Sequence, residues 1–521
     1  MSEVEYIVSL KRGVDADAFN QEMIASSGAA AIPNRTVDIA DARELSVRLT
    51  HYSLTAAEAE SLKADSRVVD VEIPPQDQDD VEIGHDSLQE ATFTKTTADS
   101  GDYRDWGKIR HSYPGNVYGA GSTTSLNFPY ALDGTGVDVV IQDSGIQVDH
   151  PEFNDANGAS RVQLLDWGQY SGSVTQSANH YRDYDGHGTH CAGTAVGLNF
   201  GWGKNARIYS QKLSGLEGSG DSGTGISITY AFDVITAWHN AKPIDPITGV
   251  KRPTIVNMSW GYSSGYTPSN VSAFSYRGVT YNSGNDSNLL NAANQLSTYG
   301  FYQYITSSGY RVPLRVSSVD TNIQEMIDAG IHVCVAAGNN RFKADLSGGL
   351  DYNNTVSTPT VRSYHRGSSP TDDEAISVGS LGYAVGSLTE ETKSLFSTTG
   401  PGVDIYAAGE YIISATSTTN KFGAPSYYGN ASFKQTNISG TSMASPQVCG
   451  LGALHLQANP HWTPAQLKDR LTKDAEARLQ DGGLTAYSTH TNIMGGNNRI
   501  MLSRYANAVP FSSNVTGLKK R

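Results

Sequence analysis

Cysteine is scarce in this chain: Cys191, Cys334 and Cys449 are three thiols in 521 residues. An odd count, each in a small or apolar stretch, argues against a disulfide framework and for buried free thiols. A CxxC pair of the kind that seeds a zinc site is absent. Charge is scarce too, at 17% where about 25% is usual in globular proteins, and it leans to one sign. Lys and Arg number 38 against 52 Asp and Glu, a net of −14. Such a surface repels phosphate, so neither nucleic acid nor an anionic membrane is expected as a partner. Apolar runs fall short of the roughly 18 to 20 residues a membrane span needs. The opening MSEVEY has neither the basic start nor the apolar stretch of a secretion signal. What remains is a globular chain with a sizeable core and, at this length, about two to four domains.

Gly, at 53, and Tyr, at 28, are plentiful, so loops and uncharged polar surface are expected alongside that core. The first 75 residues read as a small α+β domain. Strands are expected at 5–10, near 31–40, at 43–52 and at 67–73, with helices at 15–26 and after Thr55. Asp15 opens the first helix, and Thr55 with Glu58 forms a capping box for the second. The order β-α-β-β-α-β is a split βαβ pattern. Pro74-Pro75 ends it, and residues 76–105 form an acidic linker without sustained period.

Residues 106–510 change character. Apolar runs at 137–142, 207–213, 254–260, 331–338, 375–381 and 403–409 alternate with helical stretches at 223–240, 321–329 and 443–457. Apolar strands interleaved with helices predict an α/β domain, a parallel sheet flanked by helices. Residues 262–318 interrupt it with a long Gly/Ser/Asn/Tyr-rich insertion holding one expected helix near 287–305. An insertion of that length is usually functional or disordered. Residues 511–521 are a C-terminal tail.

Three polar residues sit where an α/β sheet collects its chemistry. Asp143 directly follows a predicted strand in VVIQDSG. His187 lies between Gly186 and Gly188 in DYDGHGTHCAGT. Ser442, in ISGTSMASPQVCG, begins a helix-like run, where the helix dipole favours developing negative charge. A serine hydroxyl becomes a nucleophile when an imidazole takes its proton and a carboxylate fixes that imidazole's tautomer. Asn339 in VAAGNN adds an amide that, with the Ser442 N–H, could donate to an oxyanion.

IQDSG, GHGTHCAGT, AAGNN and GTSMASP, in the order Asp, His, Asn, Ser, resemble the subtilisin-like serine proteases (subtilases). The resemblance covers roughly 106–510, and Cys191 after HGTH is similar to the proteinase K branch. It implies a serine endopeptidase with Asp143, His187 and Ser442 catalytic and Asn339 in the oxyanion hole. By the same resemblance the first domain is an inhibitory prodomain of the inhibitor I9 kind. The chain would then be a self-processing zymogen, cut between Asp79 and Asp105 near Ile83. Peptide or protein substrates would add a strand between Gly218-Ser219-Gly220 and Ser259-Trp260-Gly261. The walls of the first pocket, Ser259–Gly261 and Ala336-Ala337-Gly338, are mostly small, uncharged residues and favour apolar or aromatic residues over basic ones. No cofactor is implied for the chemistry, while structural calcium is compatible with the family. Three departures stand out. Gln447 replaces a usual His, the stretch GLNFGWGKNARIY is too short for the calcium loop of many bacterial relatives, and Glu152 replaces a frequent calcium-binding Asp. Asp404, by contrast, matches another calcium position of the family. The combination of a prodomain with no signal leaves cytoplasm, virion and a nonstandard export route open.

Taken singly, these residues have plainer readings. Asp143 could be a turn residue, Ser442 an N-cap, Asp183 and Asp185 solvated turn residues, and Cys191 a small buried hydrophobe. His187 with His190 makes half a zinc site, but no third ligand follows at metalloprotease spacing. The α/β-hydrolase alternative lacks G-x-S-x-G around Ser442 and has the wrong triad order. A catalytically silent binding protein on the same scaffold is the competing class, against which stands the retention of every triad member.

Overall fold

The run EYIVSL becomes β1 (Val4–Leu10), and its Val8 and Leu10 enter one core because residues two apart share a face of a strand. In this computed structural model β1 opens the series α1 (Ala16–Ile24), β2 (Ile39–Asp41), β3 (Leu49–Leu54), α2 (Ala56–Lys63) and β4 (Val68–Glu72). The described residues are 3–505 apart from 12, 26–34, 42–48, 74–90, 95–105, 113–126, 172–173, 220, 222, 267–270, 287–288, 290–297, 302–304, 307–308, 359, 384–390 and 482–490. The first sheet is antiparallel in the order β2-β3-β1-β4. Asp15 caps α1 by accepting the Ala18 N–H at 3.0 Å. Thr55 and Glu58 close their capping box on α2. Arg35, donating to Glu58 at 2.6 Å, holds that carboxyl down at about 2. Phe19, Met23, Leu62 and Val71 complete the core of this unit, Met1–Ser87.

The second unit, Leu88–Arg521, is organised by a seven-stranded parallel sheet. Its strands are β5 (Asp138–Asp143), β6 (Val162–Leu164), β7 (Arg207–Lys212), β8 (Thr254–Met258), β9 (His332–Ala336), β10 (Ile376–Leu381) and β11 (Ile405–Ala408). They run in the spatial order β11-β10-β9-β8-β5-β7-β6. Six of the seven are the apolar runs read from the sequence. The three-residue edge strand β6 was not among them, since Val-Gln-Leu is short and partly exposed.

Every residue of β5 is buried, because helices cover both faces. Val139 and Ile141 pack with α3 (His187–Val196) and α6 (Thr441–Ala458), while Val140 packs with α4 (Ile228–Ala241) and α5 (Ser317–Asp328). Three further helices among the described residues, Trp106–Ser112, Trp167–Ser171 and α7 (Pro464–Asp474), are not among the stretches read from sequence.

The insertion 262–318 is not an open loop. Ser263–Tyr266 pairs with Gly309–Pro313, which pairs with Ile305–Thr306. Ala273–Tyr276 forms a hairpin with Val279–Asn282 and is then continued by Thr355–Thr358 and Thr360–Ser363. A separate aromatic core, including Phe274, Tyr299, Phe301, Phe342 and Tyr364, fills this satellite. Most of the helix expected near 287–305 lies outside the described residues, and its end is the strand Ile305–Thr306. Within the stretch read as linker, Ala91–Thr94 pairs antiparallel with Asn127–Tyr130. The processing region around Ile83 and the tail at 511–521 lie outside the described residues.

Candidate active site

Asp143 is the last residue of β5, so its side chain emerges at the carboxyl edge of the sheet. Its Oδ1 accepts the Ser144 N–H at 2.7 Å and lies 2.8 Å from Nδ1 of His187. His187 is the first residue of α3, and the chain enters that helix through Gly186 at φ +94°. An L side chain is strained there, and its Cβ would come within 2.5 Å of Thr416 Oγ1.

The turn that carries His187 is held by Asp183, which the sequence alone suggests as a solvated turn carboxylate. Asp183 is fully buried and accepts from Ser144 Oγ, Asp185 N, Gly186 N, Thr189 N and Thr189 Oγ1. It thereby welds the end of β5 to the first turn of α3, and burial raises its pKa above the usual carboxylate range. Asp183 precedes His187 by four residues in the same motif, but a lone Asp gives no sign of how many donors it will meet. Asp185 is likewise mostly covered, its side chain 14% exposed, and its carboxylate accepts the His187 N–H at 3.3 Å and pairs with Lys421 at 2.9 Å.

Ser442 is the second residue of the 18-residue α6. Its hydroxyl donates to the Ser259 carbonyl at 3.1 Å, a rotamer turned to the cleft wall rather than to the imidazole. The Ser442 carbonyl accepts from Ser259 Oγ at 2.9 Å and from Cys191 Sγ at 3.4 Å. Ser259 Oγ in turn accepts from Asn257 Nδ2 at 2.9 Å, and Asn257 Oδ1 accepts from Ser445 Oγ at 2.8 Å. This chain ties the end of β8 to the first turn of α6. Asn257 and Ser445 were not singled out from sequence. The signal was a polar residue inside the buried run TIVNM, which must find a partner there.

Asn339 follows β9 by three residues, and its Oδ1 accepts Thr441 N and Thr441 Oγ1, both at 2.8 Å. That fixes which way the amide faces. A Cβ built on Gly440 would sit 3.5 Å from Asn339 Nδ2 and 3.6 Å from Ser442 N. Gly440 therefore keeps open a spot flanked by two N–H donors.

Gly218, Ser219, Ser259, Trp260 and Gly261 line a cleft of about 770 Å³ together with Asp143 and His187. Gly220 lies outside the described residues. Ala336 and Ala337 instead line a neighbouring cavity of about 750 Å³, and the Gly338 N–H is tied to Thr441 Oγ1 at 3.1 Å. Ser368 stands between the two walls, near where a Cβ on Gly261 or Gly338 would fall.

The electrostatics separate the two histidines. Burial pulls the His187 pKa down, but the Asp143 carboxylate and, after it, the Cys191 sulfur together outweigh it and leave His187 well above an ordinary imidazole. His190 faces the Ile412 and Thr436 carbonyls at 2.9 and 3.1 Å, and burial lowers it to about 3. It is a neutral structural histidine. Cys191 Sγ lies 3.8 Å from His187 Nδ1, and burial pushes its thiol up.

Residues 134–490 match the family described as the Subtilase family of S8 peptidases. The chain belongs to the subtilase family. It is a serine-type endopeptidase by that membership. A cuticle-degrading serine protease of Arthrobotrys oligospora is 26% identical over 422 residues, 81% of this chain and 73% of that protein. Subtilisin-like protease 1 of Trichophyton verrucosum is 28% identical over 395 residues, 75% of this chain and 68% of that protein. Among solved structures, a cold-adapted subtilisin-like serine proteinase superposes with a TM-score of 0.46 at 22% identity, covering 76% of this chain and 97% of that one.

Against the subtilase pattern, Gln447 is buried in α6 and accepts the Trp202 indole N–H at 2.7 Å. An amide thus takes up the supporting position as a hydrogen-bonding residue. Glu152 does not fit a metal ligand, because protein donors take up both its oxygens. Asn199 N, Asn199 Nδ2 and Tyr427 OH donate at 2.8, 2.7 and 2.7 Å, with Phe200 N at 3.3 Å. Of the Asp404 carboxylate, Oδ2 is engaged by Ser377 N at 2.9 Å and Lys468 Nζ at 2.8 Å. No helix among the described residues of this subtilase is long and apolar enough to cross a membrane.

Proposed function

We propose that this subtilase cleaves peptide bonds through an acyl-enzyme on Ser442. The observation that carries the reading is the 2.8 Å contact of His187 Nδ1 with Asp143 at the sheet edge, with Cys191 Sγ 3.8 Å from that nitrogen and 3.4 Å from the carbonyl of Ser442 in the first turn of α6. With Nδ1–H donated to the carboxylate, Nε2 keeps its lone pair and acts as base. A χ1 rotation turns the Ser442 hydroxyl from the Ser259 carbonyl toward Nε2, and apo sites commonly tighten only around substrate. Oγ attacks the scissile carbonyl, His187 takes the proton, and the oxyanion settles in the spot beside Gly440. There Asn339 Nδ2 and the Ser442 N–H donate to it. The imidazolium returns its proton to the leaving amine, and water, activated by the same base, hydrolyses the ester.

Substrate extends along Gly218-Ser219 and Ser259–Gly261, and the uncharged Ser259-Trp260-Gly261 wall favours an apolar or aromatic residue before the cut. Asp143, His187 and Cys191 bring three ligand atoms within 4.8 Å of one another, but the carboxylate and imidazole here serve each other. A zinc-specific chelator should therefore leave the initial rate unchanged.

The first unit has the β-α-β-β-α-β order of a prodomain, and we read it as a tethered inhibitor. A tethered segment meets its own active site at high effective concentration, so cleavage between Asp79 and Asp105, near Ile83, is intramolecular. Labelling of Ser442 by a fluorophosphonate tests the nucleophile, and N-terminal sequencing of purified protein tests the processing. Wild type should yield two fragments in a concentration-independent ratio, while Ser442→Ala stays full length. If wild type cleaves peptides yet keeps its first unit attached, the zymogen reading fails while the catalytic one stands.

A further inference from the structure

The side-chain amine of Lys468, in the first half of α7, has three oxygen partners. The Asp373 carbonyl, the Ala375 carbonyl and Asp404 Oδ2 each lie 2.8 Å from Nζ. A lysine ammonium carries three N–H donors and no acceptor, so these contacts use all of them. By contrast, Lys473, one turn further along α7, meets a single carboxylate, Asp469, with its side chain 68% exposed.

The three oxygens come from separate places. Asp373 and Ala375 lead into β10, Asp404 leads into β11, and the lysine belongs to α7. Asp404 is itself fixed, its N–H donating to the Ser377 carbonyl and its Oδ2 accepting the Ser377 N–H, both at 2.9 Å. Two carbonyls and one carboxylate converging on a single point form the donor set that a hard cation such as calcium takes. Water can reach the point, since the Lys468 and Asp404 side chains remain 19% and 16% exposed. Asp372 and Asp373 border the same cavity and add negative field.

We propose that Lys468 is a tethered cation filling an oxygen cage, so that the entries to β10 and β11 are joined without a metal at this position. Removing the ammonium should leave the cage intact and convert it into a calcium site. The cage lies outside the cleft that holds Asp143 and His187, so its filling is independent of the proposed catalytic mechanism.

The test compares full-length wild type with Lys468→Ala, each expressed and purified in EDTA and, separately, in 10 mM CaCl2. Bound calcium is measured by isothermal titration, and the thermal midpoint is read in both media. Lys468→Ala should bind one calcium more than wild type, with a Kd on the order of 10⁻⁴ M for so few protein ligands. Calcium should raise its midpoint by more than it raises that of wild type. A variant that folds only in calcium gives the same answer. Equal calcium stoichiometry in the two proteins would overturn the proposal, as would a variant that fails to fold in both media. Lys468→Arg serves as a second check, since it keeps the charge and should gain no calcium. An extra equivalent in Lys468→Arg would also count against a charge-filled cage.

Discussion

The parallel sheet and the satellite built on residues 262–318 are both β-rich, yet they are held in opposite ways. In the sheet, β5 is buried along its whole length between helices, so the strand appears in sequence as a continuous apolar run. In the satellite, Val279–Asn282 is largely exposed, and its neighbour Ala273–Tyr276 buries only Phe274 fully. Order there comes from rings. Phe274 stacks on Tyr299 at 4.8 Å and meets Phe301 edge-on at 5.0 Å. The partner strand Thr355–Thr358 arrives from about eighty residues further along the chain. A cluster of Arg277 and Lys343 around Asp351 adds polar ties, and these hold the Asp351 carboxyl well below its usual range although burial opposes them. The sheet positions chemistry through local sequence, whereas the satellite depends on distant partners. The two should therefore be separable by mutation.

The largest separation is expected at the triad. Ser442→Ala, His187→Ala and Asp143→Ala should each lower kcat by about 10⁴ to 10⁶, while the thermal midpoint and satellite fluorescence hold steady. Substantial peptide hydrolysis by Ser442→Ala would remove the sheet edge from the mechanism. Next come the donors beside Gly440. Asn339→Leu should cost about 10² to 10³ in kcat, since one donor remains. Gly440→Ala should cost a similar factor by placing a methyl group where the oxyanion sits. Unchanged kcat in both variants would mean that the developing charge lies elsewhere.

A pH profile sharpens the same point. His187 must be neutral to accept a proton, and against the pull of burial the Asp143 carboxylate, with the Cys191 sulfur beside it, raises its pKa above 6.5. The acid limb of kcat/KM should therefore lie above pH 6.5, with activity rising as the imidazolium is deprotonated. In Asp143→Asn the residual activity should show a limb displaced to lower pH, because the stabilising charge is gone. A limb at the same pH in both proteins would contradict the coupling.

How much of this was readable beforehand follows the same division. IQDSG, GHGTH, AAGNN and GTSMASP put four polar residues at strand ends and helix starts. The sheet then places Asp143 against His187, and Asn339 near the Ser442 N–H. The capping box at Thr55 and Glu58 was equally legible, being a contact three residues long. Asp183 was misread because its five donors are assembled by the turn it organises. The three-residue β6 left no periodic trace. Lys468 could not be read at all, since its partners at 373, 375 and 404 are adjacent only after the sheet has formed. The pairing of 273–276 with 355–358 was hidden for the same reason.

The smallest effect on chemistry, and the most direct test of independence, lies in the satellite core. Phe274 is fully buried and touches Tyr299, Phe301 and Tyr364. Phe274→Ala should destabilise the satellite by about 3 to 5 kcal/mol, the usual cost of removing a buried ring. Hydrogen exchange should then accelerate across 273–282 and 355–363 while the amides of β5 and β8 stay protected. The satellite begins just past Trp260 on the cleft wall, and the Tyr262 N–H and carbonyl bond to Ser369 and Leu314. Loosening it should therefore change how an extended or folded protein enters the cleft more than how a short peptide does. We expect kcat on a small peptide within about twofold of wild type, an ordinary outcome for a substitution that touches no reacting group. The ratio of protein to peptide cleavage should shift by more than that. Equal ratios with faster exchange would make the satellite a surface decoration. A matching collapse of peptide turnover would show that sheet and satellite are one cooperative unit.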